Sequence, residues 1–303
     1  MMPESLDFLF DRCAAGRKMK VAVACPYGKD VLGAVCKAHG SGLIHGLLVG
    51  DRDKIVSVAS DNGYDLSGLD ISDERNDYLA VERAVKTVSS GEADLLMKGL
   101  VKTAILLRAV LNREWGLRTG SLLSHLLLFE VPVMNYRVFG LSDAGMNMYP
   151  DLKAKAGIIE NSARCFHQLG VDDPKVAVLG AAEEVDREMP CTVDAAALVM
   201  MNRRGQIKGC TVEGPLSLDD SVSVHSAAIK GIDSPVAGKA DILIVPDIEA
   251  GNMLAKVVLY MAGARAAGVV LGARKPIILT SRFDSMNTKL ASIALGAVLA
   301  QSA

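Results

Sequence analysis

Short apolar runs alternate with longer segments of helical periodicity along most of the chain. The runs are rich in Val, Ile and Leu and end at turn residues, which is typical of strands buried on both faces of a parallel sheet. The predicted strands are 21–25, 46–49, 93–97, 131–134, 176–179, 241–245 and 276–279. The predicted helices are 77–90, 103–112, 121–128, 152–169, 192–202, 221–229, 253–267 and 288–299. This alternation predicts an α/β fold with mostly parallel sheets.

Length and charge narrow the class of protein. A chain of 303 residues suggests two domains or one large domain. Lys and Arg number 33 and Asp and Glu 35, which argues against nucleic acid as a partner. The N-terminus lacks the pattern of a signal peptide, and the most apolar stretch, 253–273, contains Lys256 and Arg265. We therefore expect a cytoplasmic protein that does not bind a membrane.

Several cofactor motifs are absent from the sequence. There is no P-loop, no glycine fingerprint for a dinucleotide after any strand, and no nucleophile elbow of a hydrolase. The five histidines show no metal-ligand spacing. The sequence therefore predicts neither a bound metal nor a redox cofactor.

Polar residues follow several of the predicted strands, where ligands bind in open parallel sheets. Lys98 and Gly99 follow one strand, and Thr103 and Arg108 lie on the next helix, which together make a competent anion site. The alternative is an ordinary helix start with Thr103 as N-cap. Ser121 opens the predicted helix 121–128, where a second anion cradle and an ordinary cap are equally compatible with the sequence.

Two further segments carry candidate substrate-binding residues. Asp143 and Asn147 lie in a loop that is either a binding segment or a hinge between domains. Asp247, Gly251 and Asn252 follow another strand, where Gly251 permits close backbone approach and Asn252 either caps the helix or binds a ligand.

The segment 280–285 contains the candidate catalytic residues. Arg282 can bind phosphate through two hydrogen bonds, the Ser281 hydroxyl can donate to a developing oxyanion, and the Asp284 carboxylate can accept a proton. The alternative is a plain helix N-terminus with Asp284 or Ser285 as the cap.

Five stretches, in order, carry a resemblance to a known family: MKGLVKTAILLRAVL, LSDAGMNMYPDL, VEGPLSLDDSVS, PDIEAGNMLAKVV and LTSRFDSMNTKLASIALG. They resemble the phosphate acetyl/butyryltransferase family, and within it the butyryl branch. The resemblance implies two α/β domains, with the active site in the cleft between them, as in isocitrate and isopropylmalate dehydrogenases. It implies one domain at 1–140 plus 279–303 and a second at 141–278.

The position of the predicted catalytic base differs from the position in one branch of this family. In the acetyl branch, an aspartate seven positions after the serine acts as the base, and this chain has Thr288 there. The arrangement here, with Asp284 three positions after Ser281, resembles the butyryl branch instead. Asp284 is therefore the predicted base, beside Ser281 and Arg282.

The resemblance implies interconversion of a short-chain acyl-CoA and phosphate with acyl phosphate and CoA, where coenzyme A is a substrate and no cofactor is needed. Butyryl or a similar acyl group is favoured, with acetyl as the alternative. We expect direct transfer, because no cysteine or histidine lies in a nucleophile position within the matched stretches.

Two alternative functions remain: a metal- and NAD-dependent decarboxylating dehydrogenase on the same fold, and a non-catalytic acyl-CoA-binding protein. A homo-oligomer, a dimer or higher, is the default expectation.

Overall fold

The structure is a computed structural model that describes residues 2–132, 137–282 and 284–302. The chain divides into two compact units. Unit A comprises Leu6–Ser121 and Ala266–Ala303, and unit B comprises Met1–Ser5 and Leu122–Arg265. None of the helices in the described ranges is long and apolar enough to cross a membrane.

Unit A is built around strands that are mostly parallel. In chain order its elements are α1 (Asp7–Ala15), β1 (Met19–Ala24), α2 (Lys29–Gly40), β2 (Ile44–Gly50), α3 (Arg52–Asn62), β3 (Asp70–Asp73), α4 (Asp77–Ser89), β4 (Leu95–Lys98), α5 (Thr103–Val110), β10 (Arg265–Leu271), β11 (Ile277–Ile278) and α11 (Met286–Gln301). The strand order is β3-β2-β1-β4-β11-β10. All pairs among the described residues of these strands are parallel except β10 with β11.

The central strands of unit A are covered by helices. The residues of β1 and β4 are almost all buried, as parallel strands are when helices cover both faces. Helix α4 packs on β1, β2 and β4, whereas α11 packs on α1, α2, β4 and β11. Nearly every residue of α11 from Lys289 onward is buried, so this helix is the core of the unit and not a surface element.

Unit B has the same layered construction. Its elements are β5 (Ser124–Glu130), β6 (Phe139–Ser142), α6 (Leu152–Gln168), β7 (Lys175–Leu179), α7 (Pro190–Arg203), β8 (Thr211–Leu216), α8 (Leu218–Val222), α9 (Val224–Ile229), β9 (Ile242–Ile244) and α10 (Ile248–Tyr260). The strand order is β5-β6-β9-β7-β8, with β5 antiparallel to β6 and the other described pairs parallel. Helix α6 packs on β5, β6 and β9, and α7 packs on β7 and β8.

Most predicted elements are confirmed, and the α/β class with mostly parallel strands is confirmed with them. The predicted helix 121–128 is wrong, because Leu127 and Phe129 pair with β6 as part of strand β5. A short apolar run carries too few residues to distinguish a buried helix from a strand. The predicted strand 131–134 is not formed at its first two residues, and its last two lie outside the described residues.

Two other predicted helices have different bounds. The predicted helix 253–267 begins earlier and ends earlier, as α10, and Arg265 already starts a strand. The predicted helix 221–229 is two short helices, because Ser223 leaves the helical conformation and caps the second one. The sequence did not predict helices α1, α2 and α3.

The predicted domain boundaries at 140/141 and 278/279 stay a prediction. The boundaries between the two compact units lie at 121/122 and 265/266.

Candidate active site

A small pocket in unit A gathers the predicted catalytic segment and the segment after β4. Its volume is about 40 Å³, which suits a small ion better than a coenzyme. It is lined by Gly28, Asp30, Val31, Lys98, Gly99, Leu100, Thr280, Ser281, Arg282 and Lys289. Four residues predicted from the sequence, Lys98, Gly99, Ser281 and Arg282, therefore share one pocket, as expected for residues at the carboxyl ends of neighbouring parallel strands.

Gly99 brings the loop after β4 against the end of β1. The Gly99 and Leu100 amides donate to the carbonyl oxygens of Ala24 and Cys25, at 2.8 and 2.7 Å. A Cβ atom at Gly99 would lie 2.1 Å from the Cys25 carbonyl oxygen, so only glycine fits there. The glycine predicted as part of an anion site thus has a steric role in forming the pocket wall.

Ser281 and Asp284 are joined by two hydrogen bonds in the turn before α11. The Ser281 amide donates to Asp284 Oδ2 at 2.7 Å, and the Asp284 amide donates to the Ser281 carbonyl oxygen at 3.2 Å. Ser285 is the N-cap of α11 and accepts from the Thr288 amide. The capping alternative is therefore right for Ser285, while Asp284 fixes the turn that presents Ser281 and Arg282.

Thr288 does not line the pocket. Its hydroxyl lies 3.2 Å from the Ser285 hydroxyl within the first turn of α11. The position that carries the base in the acetyl branch is therefore occupied here by a residue that belongs to the helix cap.

Two buried ammonium groups line the pocket beside Arg282. Lys98 is 5% exposed and donates to the Gly99 and Val101 carbonyl oxygens, each at 3.2 Å. Lys289 is 1% exposed and donates to the Asp284 carbonyl oxygen. Burial lowers the pKa of Lys98, and the nearby charges of Arg282 and Lys289 lower it further. A site that concentrates positive charge in this way favours an anion.

Arg108 lies in a different groove of unit A, between α4 and α5. The groove has a volume of about 260 Å³. Its lining residues are Tyr78, Val81, Glu82, Ala104, Ile105, Arg108, Ala109, Asn112 and Trp115. Two aromatic rings and one guanidinium are the groups that a nucleotide base and its phosphates bind.

Two other predicted residues of unit A lie outside both sets of lining residues. Thr103 is the first residue of α5, and Lys102 precedes it as N-cap, so the interpretation of Thr103 as N-cap is wrong. Ser121 does not open a helix, because β5 follows, and its amide donates to the Thr119 hydroxyl. The helix start that a cradle at Ser121 would need is absent there.

Asp143 and Asn147 form a hydrogen-bonded corner in unit B. Asp143 Oδ1 accepts from the Gly145 and Met146 amides at 2.9 Å, and Oδ2 accepts from the His125 amide at 3.1 Å. Asn147 Nδ2 donates to Asp143 Oδ2 at 2.6 Å and to the Leu123 carbonyl oxygen at 2.9 Å. The Asp143 carboxylate is buried and holds this loop together.

The segment 247–252 lies against that corner. Asp247 is the N-cap of α10 and accepts from the Ala250 amide, so the interpretation of Asn252 as the cap is wrong. A Cβ atom at Gly251 would lie 3.1 Å from the Asp143 carbonyl oxygen and 2.7 Å from Val245, which confirms the predicted close approach. Asn252 Nδ2 donates to the Ala144 carbonyl oxygen at 3.3 Å.

The structure adds pocket residues that the sequence did not predict. Gly28, the N-cap of α2, and Asp30 and Val31 in its first turn lie in a part of the chain that matched the family only in pattern. Lys289 was overlooked because it lies inside a predicted apolar helix. A signal was present, since Lys289 is the only charged residue in α11. Within the described ranges, no cluster of three or more His, Cys, Asp or Glu residues could hold a metal ion.

The chain is similar to known proteins over nearly its whole length. The family model described as "phosphate acetyl/butaryl transferase" matches residues 76–297. The phosphate butyryltransferase of Clostridium acetobutylicum is 44% identical over 299 residues, 99% of each chain. The phosphate acetyltransferase of Rhizobium meliloti is 43% identical over 298 residues, 98% of this chain and 94% of the relative.

A solved structure is similar over nearly the whole chain. The branched-chain phosphotransacylase of Enterococcus faecalis V583 is 30% identical with a TM-score of 0.82, covering 94% of this chain and 99% of that one. The family match spans the segments that form the Ser281 pocket after β4 and before α11. The chain belongs to the phosphate acetyl/butyryltransferase family.

Proposed function

We propose that this enzyme transfers a short acyl group between coenzyme A and phosphate, with the phosphate held in the Ser281 pocket. The observation that carries the proposal is the meeting of Lys98, Arg282 and Lys289 in one small pocket beside a serine. The N-terminus of α2 adds to it, because its N-cap, Gly28, has no side chain to accept from the first amides.

The reaction needs a positive site for phosphate and a donor for the tetrahedral intermediate. In the thiolysis direction the CoA sulfur forms a bond to the acyl carbon, the bond from that carbon to phosphate oxygen breaks, and phosphate leaves. Arg282 holds the phosphate through its planar fork, and the Ser281 hydroxyl donates to the oxyanion. In the reverse direction a phosphate oxygen attacks the acyl carbon, and CoA leaves as the thiol.

Asp284 is the proposed base for the CoA thiol. A free thiol is mostly protonated at neutral pH, so a carboxylate that takes its proton raises the concentration of the nucleophile. Oδ2 of Asp284 accepts from the Ser281 amide at 2.7 Å, and a carboxylate has further lone pairs to accept the thiol proton. The same turn therefore positions the base next to the oxyanion donor.

The groove between α4 and α5 is the proposed site for the nucleotide end of coenzyme A. Arg108 has no hydrogen-bond or ion-pair partner among the described residues, which leaves its guanidinium available for phosphate groups. Leu100, at the Ser281 pocket, is 45% exposed and offers an apolar surface for the pantetheine arm. Thr103 and Ser121 are not among the lining residues of these two cavities and stay predicted binding residues, as do the unit B residues Asp143, Asn147, Asp247, Gly251 and Asn252.

The finer points of the fold and chemistry are part of the proposal. We propose direct acyl transfer without a bound cofactor. We also propose the domain arrangement implied by the resemblance to the isocitrate and isopropylmalate dehydrogenases, with substrates bound in an interdomain cleft. The division into two compact units, each with mostly parallel strands, supports the presence of two α/β domains.

A panel of acyl donors tests the function and the acyl preference together. Thiol release from acetyl-, propionyl-, butyryl- and isobutyryl-CoA should require phosphate, and butyryl- or isobutyryl-CoA should give the highest kcat/KM. One methylene in an apolar pocket changes the preference by about 10- to 200-fold. The control is the same panel without phosphate. A highest kcat/KM for acetyl-CoA would reassign the acyl preference.

The same assay separates the rivals. An acyl-CoA-binding protein without activity would bind the panel but release no thiol. A metal- and NAD-dependent dehydrogenase would lose its activity on adding a chelator and would reduce NAD, whereas phosphate-dependent thiol release should be unaffected by the chelator.

We also propose that the chain forms a homodimer through α10. Met253, Val257 and Tyr260 are 64%, 48% and 66% exposed, at a spacing that places them along one face of the helix. An antiparallel pair of these helices sets Glu249 of one copy beside the half of the other helix that carries Lys256. The face is therefore complementary to itself, as a twofold interface requires.

Val257→Glu should shift the protein from dimer to monomer in light scattering, because a charge buried in the contact between the two helices lacks a partner. Val56→Glu is the matched control, since Val56 is a valine on helix α3 with 46% exposure. A wild-type monomer, or a dimer that persists in Val257→Glu, would contradict the interface.

A further inference from the structure

Lys289 is the only charge in a buried helix, and its position is unfavourable for a cation. It lies in the first turns of α11, near the positive end of the helix dipole, and only 1% of the residue is exposed. The residues that follow it, up to Ala300, are all buried. A buried ammonium is unfavourable unless hydrogen bonds and opposite charge compensate the loss of its hydration.

The surroundings of Lys289 compensate it only in part. Its ammonium has three N–H donors, and one of them donates to the Asp284 carbonyl oxygen. No second acceptor for this ammonium is found among the described residues, and the side chain lines the Ser281 pocket. At least one N–H of Lys289 is therefore available to a ligand in that pocket.

The charges of the pocket lining point to the kind of ligand. The lining and the turn beside it contain three cations, Lys98, Arg282 and Lys289, and two carboxylates, Asp30 and Asp284, which leaves one positive charge in excess. Burial lowers the pKa of Lys289, opposed by Asp284 and Asp30. A small anion in the pocket would compensate the excess charge and accept the unused donors.

We propose that Lys289 binds the phosphate group of the substrate together with Arg282 and Lys98, while its bond to the Asp284 carbonyl holds the catalytic turn on the helix. This inference rests on the proposed acyl transfer between coenzyme A and phosphate. It assigns to Lys289 a contact with phosphate and none with the acyl or nucleotide part of acyl-CoA.

The test compares Lys289→Met, which keeps the length of the side chain but removes its charge, with Lys289→Arg, which keeps the charge. In the direction of phosphate attack, Lys289→Met should raise the KM for phosphate about 10- to 100-fold, as expected for a lost hydrogen bond to a charged group. The KM for acyl-CoA should stay within about 3-fold, and Lys289→Arg should recover part of the phosphate affinity. Lys37→Met, on the exposed surface of α2, is the control.

A second readout does not depend on turnover. Inorganic phosphate alone should raise the unfolding temperature of the wild type and of Lys289→Arg, and this shift should be lost in Lys289→Met. If the wild type shows the phosphate shift but no thiol release, the proposed function fails while the phosphate site stands. An unchanged phosphate KM in Lys289→Met overturns the assignment of Lys289.

A purely structural role predicts a different result. It would raise both KM values or lower kcat alone, with a lower unfolding temperature and an unchanged response to phosphate. If Lys289→Met does not fold, the decision falls to Lys289→Arg: a raised phosphate KM with the KM for acyl-CoA within about 3-fold of the wild type supports the proposal, and equal changes in both KM values contradict it.

Discussion

Arg282→Ala should lower the rate of acyl transfer by about two orders of magnitude or more, the loss seen when a donor to a developing charge is removed. Arg282 lines the pocket together with two buried lysines, and its guanidinium has no hydrogen-bond partner among the described residues. The substitution therefore removes a positive charge from the pocket and leaves the hydrogen bonds among the described residues intact. Steady-state kinetics in both directions measure the effect.

Two variants define the reason for that loss. Arg282→Lys keeps the charge but not the planar fork, and it should fall between the wild type and Arg282→Ala. Arg187→Ala removes an exposed arginine of unit B and should leave the rate unchanged. A rate close to wild type in Arg282→Ala would place the phosphate elsewhere.

Asp284→Asn should lower the rate of thiolysis by about 100- to 10,000-fold, the contribution typical of a positioned general base. The amide of asparagine keeps an oxygen that can accept from the Ser281 amide, so the turn should survive the change. What is lost is the ability to take the thiol proton. The acidic limb of the pH–rate profile should therefore disappear, and rates measured across the pH range test this.

Thr288→Val is the matched control for that substitution. Thr288 occupies the position of the base in the acetyl branch, but its hydroxyl contacts Ser285 and does not line the pocket. Its replacement should leave the pH–rate profile unchanged. An unchanged profile in Asp284→Asn, or a lost limb in Thr288→Val, would move the base away from Asp284.

The secondary structure of the long segments could be predicted from the sequence, and that of the short apolar segments could not. Helices α4 and α6 show helical periodicity over three turns or more, which identifies them from the sequence, whereas α7 and α11 are mostly apolar segments whose length indicates a helix. Strand β5 was predicted as a helix because its leucines fit both periods, and only its pairing with β6 decides between them. Strand β10 was likewise attached to the preceding helix, although Ala262 and Gly263 separate the two.

The pocket was predictable where polar residues follow strands. Lys98, Gly99, Ser281 and Arg282 were found by this rule, and the structure places them together. Lys289 was not found, because a single lysine in an apolar helix is usually read as an exposed residue. Its burial follows from the packing of α11 in the middle of unit A, which no local pattern contains.

The role of Asp143 could not be predicted from the sequence either. A carboxylate in a loop after a strand has the pattern of a ligand-binding residue, but here three backbone amides and the Asn147 side chain donate to it. The pattern of polar residues in the sequence does not tell which of them are occupied by the protein's own backbone.

The two parts of unit A leave the ribosome at different times. Residues 122–265, which are 144 residues, are synthesised between its two parts. At the usual rate of translation this interval lasts roughly 7 to 30 s. During this interval β1 and β4 have been synthesised but α11, the helix that packs against them, has not. Ser281, Arg282 and Lys289 all come with the second part, so the acyl-transfer pocket can form only after the whole of unit B has been synthesised.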